Sequence, residues 1–249
     1  MSFYEIREMP RPDDNIIAEY VDVARCLSAS CVFADVQGRA GVMHSSIKPI
    51  FACKLVGAAL TVKLAPGDLQ DPLKALEIGK RGDVIVVDAN ADTETSVVGG
   101  LMGGLAKNRG IAGMIVDGAG RDIDELRDIG WPIFTRAVTA RGTHTMFSGR
   151  KEDLSLNVPI VCGGVPVNPG DMIVADEIGI TVVPRERLAP VLKLAREQAE
   201  REEKPANGSS RARRSRICCR NSAGFRVPSE LRRSPGAPHA SSSNRSGKA

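Results

Sequence analysis

The stretch from Val97 to Asp122 constrains the fold of this chain more than any other. It opens with a glycine turn at Gly99-Gly100 and continues through small residues to Asn108. An apolar run, Ile111 to Val116, follows, and the stretch closes on Asp117-Gly118, a turn and Arg121-Asp122. The pattern predicts a helix from about Val98 to Asn108 and a strand from about Ala112 to Val116. Just upstream, Val84-Ile85-Val86-Val87 is apolar without alternation and is bounded by Gly82-Asp83 and Asp88. Such a run reads as a strand covered on both faces. Aromatic residues make up only 4% of a chain that is 42% hydrophobic. The core must therefore be built from Val, Ile, Leu and Ala, which favours an α/β protein with branched aliphatic strands.

The remaining elements follow from the same patterning. Residues 1–14 are polar and contain proline, and read as an arm. Apolar positions from Asn15 to Ala29 recur at roughly helical spacing. Cys31 to Asp35 reads as a short strand, and Gly38 to Lys48 as loop. Gly57 to Lys63 reads as a β-branched strand, and Asp71 to Gly79 as a helix after the Pro66-Gly67 turn. Asp122 to Asp128 reads as a short helix, and Trp131-Pro132-Ile133-Phe134 begins another strand. From Asn157 the texture turns to β: Val158 to Cys162, Val165 to Val167, Met172 to Ala175 and Ile178 to Val183. Pro184 starts a last amphipathic helix through about Glu203. The sum is a mixed sheet with helices on its faces and a β-rich cap, in one domain spanning 15–204.

The net charge of +4 over 249 residues conceals a division. Residues 205–249 hold nine arginines and one lysine against Glu230 alone, a charge of +9 that leaves −5 on residues 1–204. This tail is rich in Ser, Arg, Pro and Gly, cannot bury enough apolar surface to offset its ordering entropy, and is expected to be disordered. No aromatics alternate with its arginines to stack on bases, so nucleic-acid binding is not the expected role. No apolar run reaches the roughly 18 residues that span a bilayer. The N-terminus carries Glu5, Glu8, Asp13 and Asp14 rather than a signal segment, so a cytoplasmic protein is expected. Cys26, Cys31, Cys53, Cys162, Cys218 and Cys219 form no Cys-x-x-Cys pair and read as reduced thiols.

The chemistry concentrates in the central stretch. Glycines at Gly99 and Gly100 let backbone amides converge on an anion, and the following helix adds its positive end. The Gly-Lys-Ser/Thr of a Walker loop is missing, and the spacing fails for a dinucleotide fingerprint. An arginine fork such as Arg121 pairs with a carboxylate, and an aspartate beside it offers a hard oxygen to a divalent cation. Two blander uses stay open from spacing alone: glycines for tight packing, and Asp122 as an ordinary N-cap.

The ordered set Gly99-Gly100-Leu101-Met102, Gly110, Gly113, Val116-Asp117-Gly118 and Arg121-Asp122 resembles the family of the 4-hydroxy-4-methyl-2-oxoglutarate aldolases and the RraA-type regulators of ribonuclease E. Gly57 to Val62, Gly82 to Asp88, Trp131 to Phe134, Cys162 to Val165, Pro169-Gly170-Asp171 and Asp176 to Gly179 extend the likeness over about Asp35 to Glu203. The resemblance implies a β/β/α swivelling-domain fold, trimeric or hexameric, and a class II metal-dependent pyruvate aldolase with oxaloacetate decarboxylase side activity. It implies that Gly99, Gly100, Leu101 and Met102 hold a 2-oxo acid through main-chain amides. It gives Arg121 to substrate and enolate, and Asp122 to Mg²⁺ or Mn²⁺. It leaves the base open among Asp117, Asp171, Asp176 and Glu177, and assigns no role to His44 or His144. The alternative it permits is a non-enzymatic regulator that binds ribonuclease E.

Overall fold

Four parallel strands carry the structure, and their apolar runs explain why. The computed structural model describes residues 5–25, 28–65, 67–143 and 155–203. In chain order these form β1 (Glu5–Ile6), α1 (Asp14–Ala24), α2 (Ala29–Asp35), β2 (Lys48–Pro49), β3 (Leu55–Lys63), α3 (Gln70–Ile78), β4 (Val84–Val98), α4 (Gly100–Arg109), β5 (Gly113–Gly120), α5 (Ile123–Ile129) and β6 (Ile133–Val138). There follow β7 (Ser155–Leu156), β8 (Ile160–Cys162), β9 (Val165–Val167), β10 (Met172–Ala175), β11 (Ile180–Val183) and, after a 3₁₀ turn at Arg185–Arg187, α6 (Leu188–Glu203). The main sheet runs β1-β7-β3-β4-β5-β6-β2, with β3, β4, β5 and β6 parallel to one another. The expectations for the arm at residues 1–4, for Cys26, Leu27, Pro66, His144, Cys218 and Cys219, and for the tail lie outside the described residues.

The unbroken run at Val84–Val87 is buried on both faces, as its composition requires. Ile85 and Val87 face a core shared with Leu76 of α3, Met102 and Ala106 of α4, Leu126 of α5, and Trp131. Val84 and Val86 face the opposite core with Phe134, Ile160, Val167, Ile173 and Val182. A third core joins α1, α2 and α6 to Val56, Ala58, Met172 and Val174. Burying an aliphatic side chain of this size stabilises by about 1.5–3 kcal/mol, so strands filled on both faces anchor the domain.

Three expectations are corrected. Cys31–Asp35 is part of helix α2, not a strand. Asp176, distant in sequence, supplies the acceptors at its first turn: Ser30 N–H donates to Oδ2 at 3.0 Å and the Ser30 hydroxyl to Oδ1 at 2.6 Å. A tertiary contact thus decides the state of a seven-residue segment that local pattern left ambiguous. The first helix ends at Ala24 rather than running to Ala29. The β-rich cap is not separate, because β10 pairs antiparallel with the first half of β3, Met172 against Ala58 through Ala175 against Leu55. Among the described residues, β8 and β9 pair with each other apart from the main sheet.

The arm packs along the domain where it is described. β1 pairs with β7, and Arg11 Nε donates to Asp83 Oδ1 at 2.6 Å. Burial raises the Asp83 carboxyl, while Arg11 and the Lys80 N–H draw it back down. No helix of the described residues is long and apolar enough to cross a membrane.

Asp117, on β5, is a structural ion-pair partner. Arg136 Nε donates to its Oδ1 at 2.6 Å and Gly163 N–H to its Oδ2 at 2.7 Å, which locks β6 and the β8–β9 turn onto β5. Asp117→Ala leaves the guanidinium of Arg136 without this acceptor. It is expected to lower unfolding stability by about 3 kcal/mol in urea denaturation, and an unchanged midpoint would contradict the locking role.

Candidate active site

Two helices begin side by side because β4 and β5 are parallel neighbours. The pairing continues to the ends of both strands, with Val98 opposite Gly120. Each chain then turns into a helix at the carboxyl edge of the sheet, the edge where open α/β sheets place their ligands. Gly99 and Gly100 are thereby brought against Arg121 and Asp122, some twenty residues on.

Asp122 holds the junction together. Its backbone lies in the left-handed region, at φ 51° and ψ 44°, which aspartate tolerates better than most residues. Its carbonyl starts α5 by accepting from Leu126 N–H at 2.9 Å. Its side chain does not cap α5; Oδ2 instead accepts the N–H of Gly100, the first residue of α4, at 3.1 Å. The blander expectation for Asp122 is therefore half right, since it caps a helix that is not its own. The approach uses the open side of Gly99, where a Cβ would overlap Asp122 Oδ2; a Cβ at Gly100 would instead meet the carboxylate end of the Glu125 side chain.

Arg121 completes the group. Its N–H donates to Val98 O at 2.9 Å, which pins the residue to the end of β4. Its Nε lies 3.4 Å from Asp122 Oδ2, and its guanidinium passes over Gly142, where a Cβ would press on Nη1. Both side chains are open to solvent, 47% for Arg121 and 39% for Asp122. An ion pair so exposed contributes little to stability, which leaves both groups free to serve a ligand. Oδ1 of Asp122 makes no hydrogen bond or ion pair among the described residues.

The four residues from Gly99 to Met102 divide in their use. Gly103 N–H already donates to Gly99 O at 3.0 Å, and Gly100 N–H is taken by Asp122. The amides of Leu101 and Met102 have no acceptor within the helix, as for any first turn. The side chain of Met102 is buried beside Leu126 and Trp131, whereas that of Leu101 is 79% exposed.

Three of the four base candidates from the sequence, Asp117, Asp171 and Asp176, are engaged elsewhere. Asp171 accepts from Asn168 N–H at 2.8 Å and Arg185 N–H at 2.9 Å, and burial raises its carboxyl. Asp176 caps α2 and accepts from Ile178 N–H in its own turn. Glu177 and His44 are exposed, and Glu177 lies in the β10–β11 turn near Cys53. Sequence reasoning passed over Glu125 and Gly142. Glu125 had a signal, the Asp-x-x-Glu spacing at a helix start; Gly142 had none.

No group of three His, Cys, Asp or Glu side chains gathers among the described residues. A cation here would have Asp122 and water as its ligands. That suits a small hard ion that keeps most of its hydration shell, and does not suit one needing a full protein cage.

Comparison with known proteins decides the family. The family model described as RraA-like, Aldolase/RraA, matches residues 17–182. The chain belongs to the RraA-like family. A relative from Halalkalibacterium halodurans, named "Putative 4-hydroxy-4-methyl-2-oxoglutarate aldolase", is 38% identical over 72% of this chain and 83% of its own. The 4-hydroxy-4-methyl-2-oxoglutarate aldolase of Thermus thermophilus is 37% identical over 45% of this chain and 65% of its own. Among solved structures, Streptomyces coelicolor RraAS2, described as an unusual member of the RNase ES inhibitor RraA family, superposes with a TM-score of 0.64. It is 28% identical and covers 79% of this chain and 98% of its own.

Removing the Asp122 carboxylate deprives α4 of its acceptor. Asp122→Ala is expected to cost about 1 kcal/mol, as loss of an N-cap does, with the fold retained. Chemical denaturation with circular dichroism measures this, and a loss within error of zero would mean that the bond to Gly100 carries no weight.

Proposed function

We propose that this RraA-like protein is a divalent-metal-dependent lyase. It cleaves 4-hydroxy-4-methyl-2-oxoglutarate, or a related 4-hydroxy-2-oxo acid, to pyruvate, and decarboxylates oxaloacetate as a side activity. The observation that carries the reading is the meeting of Arg121 and Asp122 with the start of α4, where an anion finds amides and a guanidinium and a cation finds a carboxylate oxygen. The names of the aldolase relatives support it.

Each residue has a task in that reaction. The N–H groups of Leu101 and Met102 receive the carboxylate of the 2-oxo acid at the positive end of α4. Arg121 is long and open enough to reach the keto acid, and its charge opposes the negative charge that gathers on the keto oxygen as the carbon–carbon bond breaks. Asp122 would hold Mg²⁺ or Mn²⁺, its carboxylate kept oriented by the bond from Gly100 N–H to Oδ2. When bound, the cation supplies Lewis-acid polarisation of the keto oxygen. Donors and charges placed in this way each contribute about 2.7–4 kcal/mol to a developing oxyanion. No lysine is proposed for a Schiff base, since Lys107, in the last turn of α4, donates through Nζ to Ile129 O at the end of α5.

We also propose assembly into a trimer or hexamer, supported by the exposed Leu101 and Leu105 on α4 beside the site. The RraA structures favour a second reading, a regulator that binds an RNA-processing enzyme; retention of ribonuclease E on the immobilised protein would support it.

Pyruvate release from 4-hydroxy-4-methyl-2-oxoglutarate in the presence of Mg²⁺ or Mn²⁺, followed by a coupled dehydrogenase assay, tests the enzymatic reading. Turnover is expected to vanish with excess chelator and to fall by about a hundredfold or more in Asp122→Ala, in line with the loss of about 3 kcal/mol of transition-state stabilisation. Turnover unaffected by chelator and by the substitution would overturn it.

A further inference from the structure

We propose that the cleft between α1 and α6 is a docking surface for the chain's own arginine-rich segment, residues 211–220. The two helices pack over the first half of β3 and over β10, whereas Arg121 and Asp122 stand at the carboxyl ends of β4 and β5. They are tied by Arg196 Nη2, which donates to Glu19 Oε2 at 2.7 Å, and by the Tyr20 hydroxyl, which donates to Leu188 O at 2.9 Å. Between them lies a cleft of about 440 Å³ with Ile16 and Leu192 in its walls. Its rim carries four acids, Asp13, Glu19, Glu197 and Glu200, against two cations, Lys193 and Arg196.

Two of these acids are already spent within the fold. Glu19 takes Arg196, and Glu197 lies 3.5 Å from Arg201 Nη2. Asp13 and Glu200 are different. Both are exposed, and neither carboxylate has a hydrogen-bond or ion-pair partner among the described residues, although Asp13 sits at the N-cap of α1. The cleft therefore offers two unpaired carboxylates beside an apolar wall. An arginine fits both, because its guanidinium pairs with a carboxylate through two parallel bonds while its stem lies on apolar surface.

Charge, position and reach select the occupant. Residues 1–204 carry −5 and residues 205–249 carry +9. The densest part of that charge is Arg211-Ala212-Arg213-Arg214-Ser215-Arg216-Ile217-Cys218-Cys219-Arg220, five arginines in ten residues with no acid. Helix α6 ends at Glu203, one turn past Glu200, so the chain leaves the domain beside the cleft. Arg211 follows Glu203 by eight residues, a reach of up to about 26–29 Å. The cleft runs back along α6 from Glu200 to Ala189, about 16 Å. The turn-forming pair Asn207-Gly208 lies in the connection. Exposed ion pairs are individually weak, but a tethered segment meets its site at an effective concentration on the order of millimolar. Several weak pairs then suffice to hold it.

Trypsin reads the docked fraction directly, because it cuts after arginine and reaches the segment only while it is undocked. The full-length protein is digested at low salt, and cleavage within residues 211–220 is followed by mass spectrometry. Asp13→Asn combined with Glu200→Gln keeps shape and removes both free charges. It should speed that cleavage by about threefold or more. Lys193→Glu adds negative charge to the same cleft and should slow it, a second test that does not depend on the first variant folding. About 0.5 M NaCl should bring all three proteins to one rate, since exposed pairs are screened. A synthetic peptide of residues 211–220 corrects for the effect of salt on trypsin itself. Equal rates at low salt in the wild type and both variants overturn the proposal. Protection that is lost on dilution gives the cleft to the same segment of a second copy, and overturns the assignment to the chain's own.

Discussion

The hydrogen bond from Gly100 N–H to Asp122 Oδ2 is the contact on which the functional end of this structure depends. It forms only because two parallel strands end level with each other and because the residues facing Asp122 are glycines. A side chain at either glycine would displace an acid, Asp122 at the first and Glu125 at the second. Beneath them the sheet is rigid. Val84 to Val87 are packed on both faces, and the Asp117–Arg136 pair ties β5 to β6.

Much of this was legible in the sequence, for reasons that particular residues make plain. Val84–Val87 lacks alternation and is bounded by turn residues, which reads as a strand covered on both faces; Ala112–Val116 reads as a second strand, and the helix between them carries clear glycine boundaries. The extension of β4 through Asp88–Thr95 was not legible. Asp88, Asn90 and Asp92 are poor strand formers, and the ladder to β5 shifts register there, with Asn90 and Ala91 at positive φ. Helix α2 was missed because its first-turn acceptors come from Asp176, far along the chain. Pattern reasoning sees neighbours in sequence, and that cap is a neighbour only in space.

At the site, the sequence singled out Gly99 to Met102, Arg121 and Asp122 by residue type, and the fold brings them together. It could not show which oxygen of Asp122 is spent on α4 and which is left, since that depends on the left-handed backbone at Asp122 and on the angle between two helices. Acids at Asp117, Asp171 and Asp176 looked equally chemical in sequence and prove to be locked into the fold by N–H, hydroxyl and guanidinium donors.

On the proposed reading, Asp122 and the start of α4 form one site for a cation and a small planar dianion. The most direct measurement is Mn²⁺ binding followed by electron paramagnetic resonance, with and without oxalate, a stable mimic of the pyruvate enolate. In the wild-type protein oxalate should tighten Mn²⁺ binding, and Asp122→Ala should abolish both the binding and the effect. Mn²⁺ bound equally well by both proteins, or indifferent to oxalate, would contradict the account.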